Sequence, residues 1–178
     1  MPIRKDSREK GRSDGVDWEA VYAEYLPRVY NYFRYLVGAQ AVAEDLTATV
    51  FEKAWRRRNR YRSDAGAFST WLFAVAKNVA RDYFRHRRQE VPLEWARSLA
   101  DPDPVEEVVA EREERDRLAA LLARLPDRER ELIALKYGAG LTNREIARLS
   151  GLSETNVGTI LHRTVQRLRE EWEEQDER

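Results

Sequence analysis

The sequence predicts an all-α fold of two small helical domains joined by an acidic, proline-containing linker, and three observations predict it. Apolar residues recur at three- and four-residue spacing through most of the chain, with almost no period-two alternation. That periodicity fails between Gln89 and Asp103, where acids gather with Pro92 and Pro102 and Pro104 follows. The composition, 42% hydrophobic and 36% charged, leaves room for small cores only.

The elements follow in order. Residues 1–17 read as a disordered lead-in without the apolar stretch of a signal peptide. Trp18, Tyr22, Tyr25, Val29, Phe33 and Leu36 form one helical stripe, and Pro27 predicts a break or kink near Leu26. A second helix is expected from Val42 to Arg58, with Leu46, Val50, Ala54 and Phe51 inward. The stretch NRYRSDAGAF reads as a loop, and Ser69 or Thr70 is placed to cap a third helix reaching Arg88. Its core candidates are Trp71, Leu72, Val75, Val79 and Phe84. These elements make a first domain, residues 18–88, followed by a linker, 89–117, in which helix begins near Val105. A second domain spans 118–172 and an acidic tail 173–178. In the second domain Pro126 opens a helix carrying Leu132, Ile133 and Leu135, which Gly138 and Gly140 end.

The formal net charge is zero, yet charge is separated along the chain. From Lys53 to Arg88 eleven bases face two acids, whereas from Glu90 to Glu131 thirteen acids face seven arginines. One segment therefore suits a polyanionic partner. The absence of cysteine excludes disulfides, thiol catalysis and thiolate metal sites. No run approaches the roughly 20 apolar residues of a membrane span, so the expected location is the cytoplasm. His86 and His162 are the only histidines, neither with a carboxylate at triad or ligand spacing, and no glycine-rich phosphate loop occurs. An enzyme is accordingly not expected.

The sharpest local signal lies between Leu141 and Arg169. Thr142 and Glu145 have the spacing of a capping box, Gly151 can adopt positive φ, and Ser153 can cap the next helix. Ala147, Gly151 and Val157 supply the small residue, turn and apolar anchor of a helix-turn-helix, within a winged-helix-like or homeodomain-like four-helix domain. In such a motif the start of the second helix enters the major groove, which nominates Thr155, Asn156, Thr159, His162 and Arg163, with Ser153 at its cap. Arg144 and Arg148 are placed for phosphates. In the first domain, aromatics interleave with bases as single-stranded nucleic acid requires, and Tyr61 and Phe68 flank the loop as stacking candidates.

Four runs in order, AEDLTATVFEKAW, FSTWLFAVAKNVARDYFRHRR, LPDRERELIALKY and GLTNREIARLSGLSETNVGTILHRTVQRLR, resemble an extracytoplasmic-function (ECF) sigma factor of the sigma-70 superfamily. The resemblance covers roughly Trp18 to Trp172. It implies a non-enzymatic, monomeric subunit without cofactor, whose partners are core RNA polymerase (β′ coiled coil and β flap), duplex and single-stranded promoter DNA, and an anti-sigma factor. Residues 18–88 would correspond to region 2 and residues 118–172 to region 4. Polymerase docking would fall on Asp45, Leu46, Thr49, Phe51 and Glu52. The minus-ten element would meet Asn59, Tyr61, Phe68, Ser69, Lys77, Asn78, Arg81 and Arg85, and the minus-thirty-five element would meet the helix-turn-helix. The linker would thread toward the polymerase active-site channel.

The chain departs from the family in two places. Ala48 and Thr49 replace a common Gln and acid in the docking helix, and Asn156 to Ile160 replace a common Thr-Val-Lys-Ser-Arg. The second change removes two phosphate partners. It also introduces Gly158, which costs about 1 kcal/mol in a helix and would permit closer approach to the DNA backbone. The competing reading is a dimeric helix-turn-helix regulator of palindromic sites.

Overall fold

The computed structural model describes residues 16–61, 67–89 and 109–176. The lead-in up to Gly15, most of the expected linker, the helix onset near Val105 and the last two tail residues lie outside the described residues.

Helix α1 (Trp18–Val37) starts where the Asp17 carboxylate accepts from the backbone N–H groups of Glu19 at 3.0 Å and Ala20 at 3.2 Å. It ends at Gly38, whose φ of 73° reverses the chain. The expected break at Pro27 does not occur, because α1 continues through it as one helix. Proline removes only its own N–H, and the carbonyl left over belongs to the exposed Ala23 turn. Packing on both flanks, from Trp18 and Tyr25 to Val29 and Phe33, holds the helix together.

Helix α2 (Gln40–Arg56) packs antiparallel on α1 through Ala43, Leu46, Val50 and Ala54. A single 3₁₀ turn, Arg58–Arg60, follows. Helix α3 (Phe68–Gln89) buries Leu72, Phe73, Val75, Ala76, Val79 and Ala80, while Trp71 and Phe84 are only half-buried. Ser69 and Thr70, expected as caps, stand inside its first turn instead.

Helix α4 (Val109–Arg124) begins inside the segment expected to be linker and buries Leu121 and Leu122. Its first turns are too charged to announce an apolar stripe before Leu118. Helix α5 (Asp127–Ile133) runs on into a π turn, Ala134–Gly138, closed by the Ala139 N–H on the Ala134 carbonyl at 2.9 Å. Helices α6 (Asn143–Ser150) and α7 (Glu154–Asp176) complete the fold, α7 running past Trp172.

The buried side chains of both units form one continuous cluster, from Val29 and Phe73 to Leu135, Ile146 and Val157. The π turn sits directly on α1. A Cβ at Gly138 would come within 2.8 Å of the Asn31 carbonyl oxygen and 3.0 Å of the Tyr32 Cα, so this crossing needs glycine. Arg28 secures it from α1, its Nε donating to the Ala139 carbonyl at 2.8 Å.

Candidate nucleic-acid interface

Three surfaces carry the residues singled out above. The first is the exposed face of α6 and α7. Thr142 Oγ1 accepts from the Glu145 N–H at 3.2 Å, and Glu145 Oε2 accepts from the Thr142 N–H at 2.8 Å, so the capping box is complete. Gly151 turns the chain with φ 71°, and Ser153 Oγ accepts from the Asn156 N–H at 3.1 Å to start α7. Val157, Leu161 and Thr164 of α7 face inward. That periodicity turns Thr155, Asn156, Thr159, His162 and Arg163 outward, and all are exposed, as are Ser153, Arg144 and Arg148. Arg144 leans toward Glu154 at 3.6 Å, and the Thr159 hydroxyl donates to the Thr155 carbonyl at 3.0 Å.

Gly158 lies in α7 beside α6. It is half-buried, and a Cβ there would meet Nδ2 of Asn143 at 3.4 Å.

The second surface is α3 with the segment before it. Asn59, Asn78, Arg81 and Arg85 are exposed. Arg81 donates to Asn78 Oδ1 at 2.5 Å, and Arg85 pairs with Asp82 at 3.2 Å. Tyr61 and Phe68 are half-buried in a ring cluster: their centroids lie 5.2 Å apart, and Trp18, Tyr25 and Trp71 each pack edge-on or tilted against Phe68. The Phe68 ring thus belongs to the fold as much as to a stacking platform. Ser69 and Lys77 do not join the exposed face. The buried Ser69 hydroxyl donates to Glu145 Oε1 at 2.5 Å, and Lys77 Nζ donates to the Leu149 carbonyl at 2.7 Å and lies 3.5 Å from Glu131.

The third surface is the outer side of α2. Asp45 and Glu52 are exposed, Glu52 pairing with Arg56 at 2.6 Å, while Thr49 and Phe51 are half-buried. Leu46 is a correction, since it points into the core and can only support this surface from below. Tyr22, assigned to the core stripe, is instead 51% exposed and packs edge-on to Phe51 at 4.9 Å. With Leu26, Pro27 and Tyr30 these rings line an open groove of about 380 Å³ beside Glu44. Trp55, also half-exposed, has the Arg58 guanidinium 4.2 Å above its ring. Sequence reasoning passed over Tyr22 because position 22 fits the helical stripe.

No helix among the described residues is long and apolar enough to cross a membrane. Residues 21–90 match the family Sigma-70 region 2, and residues 115–168 match Sigma-70, region 4. The chain is 31% identical to the RNA polymerase sigma factor CarQ of Myxococcus xanthus, over 91% of its own length and 93% of CarQ. It is 32% identical to the ECF RNA polymerase sigma factor BldN of Streptomyces coelicolor, covering 83% of this chain but spanning only 57% of that relative. The fold is similar to that of the sigma factor RpoE from Bartonella quintana, crystallised with the anti-sigma factor NepR, with a TM-score of 0.70 and 22% identity over 86% of this chain and 95% of that one. With regions 2 and 4 in order on an all-helical fold, and a relative matched nearly end to end, the chain belongs to the ECF RNA polymerase sigma factors.

Proposed function

We propose that this chain is a dissociable, non-enzymatic subunit that binds core RNA polymerase, directs it to a two-element promoter and helps to melt the downstream element. Family membership carries promoter recognition and initiation. The division of labour rests on one observation above all: every candidate for the upstream duplex lies on one exposed face of α6 and α7, opposite the buried Val157, Leu161 and Thr164. A rigid helix presented this way fits a major groove.

Within this reading, Asp45, Glu52, Thr49 and Phe51 form the polymerase contact on α2, with Tyr22 extending it. Asn59, Tyr61, Asn78, Arg81 and Arg85 meet the minus-ten region, where bases are unstacked at a cost of a few kcal/mol that ring and polymerase contacts offset. Ser69 and Lys77 join them once released from the second unit. An anti-sigma factor is a further expected partner, as for RpoE.

Run-off transcription with core polymerase over a genomic promoter library tests the reading. The chain should start transcription at a dedicated promoter, and Asp45→Arg should abolish it while leaving duplex binding by the full chain intact. Unchanged transcription by that variant would remove the docking assignment. Gel filtration should show a monomer; a stable dimer would instead favour a regulator of palindromic sites.

A further inference from the structure

We propose that Asp82 is a positioning residue, which draws Lys53 of α2 and Arg85 of α3 together into a phosphate site for the unpaired minus-ten strand. Neither cation forms that site alone. The inference deepens, and rests on, the reading of α3 given under Proposed function.

Helical spacing puts Asp82 on the strand face. Asn78, Arg81, Asp82 and Arg85 stand at i, i+3, i+4 and i+7, one stripe of α3. Asn78, Arg81 and Arg85 are exposed, and Asp82 is half-buried among them. Asp82 is also the only acid in the sequence of α3, against five lysines and arginines. A carboxylate there repels the phosphates of a strand laid along the helix. An ion pair this exposed adds little to stability, so folding does not account for its place.

Its contacts do. Asp82 Oδ1 lies 3.2 Å from the Arg85 guanidinium, and Oδ2 lies 3.7 Å from Lys53 Nζ. The two oxygens of one carboxylate thus hold cations from two helices side by side. Without it those cations repel each other and part. The three charges together leave one positive charge, which one phosphodiester neutralises. An ammonium carries three donors and a guanidinium five, so a phosphate can bridge both cations while Asp82 stays in place.

Other cations of α3 are tied in the same manner. Arg81 donates to Asn78 Oδ1 at 2.5 Å, and Arg87 donates to the Tyr83 hydroxyl. Each is held by a residue one turn back, as Arg85 is by Asp82. The rotamer freedom of these long side chains is therefore reduced when the chain folds, and less is left to lose when a strand binds. Asp82 alone among these holders reaches a second helix, through Lys53.

Bare electrostatics and positioning predict opposite signs for one substitution. The full chain, bound to core polymerase, is titrated with a forked fragment of the promoter found by run-off transcription, its minus-ten segment single-stranded. If charge alone counted, removing an acid beside a polyanion would tighten binding. Asp82→Asn, which keeps the shape and loses the charge, should instead weaken binding about fivefold. In the Lys53→Ala/Arg85→Ala background no cations remain to be positioned, and Asp82→Asn should cause no further weakening. Thermal midpoints and binding of the upstream duplex should be unchanged throughout, which separates positioning from loss of the fold. Equal or tighter binding by Asp82→Asn overturns the proposal, as does a weakening of the same size in the doubly substituted background. A wild-type chain that does not bind the single-stranded segment at all overturns the minus-ten reading of α3 instead, and the positioning role with it.

Discussion

The hydroxyl of Ser69, in the first turn of α3, donates to Glu145 Oε1 at 2.5 Å while the other oxygen of the same carboxylate accepts from the Thr142 N–H at 2.8 Å. One side chain thus serves the helix it begins and the helix it leans on.

That arrangement sets a pH dependence. Burial alone would raise the Glu145 pKa, but the Ser69 hydroxyl, the Thr142 N–H and hydroxyl, and the charge of Arg28 outweigh it and hold the carboxyl below its ordinary 4.5. A depressed carboxylate pKa contributes stability that is present in full above the ordinary value and lost as pH falls through the depressed one. Urea midpoints should therefore show Glu145→Gln less stable than wild type at neutral pH, with the gap closing below 4.5. A gap independent of pH would remove Glu145 from the acid response.

Thr142→Ala deletes the cap of α6 and loosens the Glu145 carboxylate that accepts from Ser69. The expected cost is about 1 kcal/mol, at the level of other lost N-caps, read as a lower denaturant midpoint with unchanged slope. A loss under about 0.3 kcal/mol would mean that the Glu145 half of the box suffices.

Tyr32→Phe removes a hydroxyl that is buried and unpartnered, and keeps the ring contacts to Phe33 at 5.1 Å and Phe73 at 5.8 Å. Burial, with Glu131 nearby, pushes this phenol well above its ordinary 10.0. Stability should rise by about 1 kcal/mol. A destabilised variant would show that the hydroxyl has found a partner.

On the outward face of the helix-turn-helix, Arg148→Ala and Asn156→Ala should fail differently. Loss of an arginine on phosphate should weaken duplex binding across sequences and lower the salt slope by about 1. Loss of Asn156 should relax base preference by about 1–3 kcal/mol with little change in slope. Fluorescence anisotropy against salt, on the promoter found by run-off transcription, separates the two; identical slopes for both variants would contradict the assignment.

Some of this was legible in the sequence, and the reason is locality. Thr142 with Glu145, Gly151 with Ala147 and Ser153 with Asn156 specify the helix-turn-helix through contacts three or four residues apart, so their spacing alone announced it. Pro27 misled because its local rule was overridden by packing on either side of it. Leu46 was drawn onto the docking face by family likeness, although its helical spacing with Val50 already placed it in the core. The meeting of the two units was invisible: Gly138 reads as a helix end, and nothing local says that the backbone of α1 will fill the space of its absent side chain.

The ring contact between Tyr61 and Phe68 has a thermodynamic corollary. The chain leaves the first helix pair at one ring and re-enters α3 at the other, their centroids 5.2 Å apart. The entropy of bringing those two ends together is thus met when the protein folds, not when a strand arrives. Ligand affinity then has less ordering to offset, and substituting either ring should weaken binding even to a strand that never touches it.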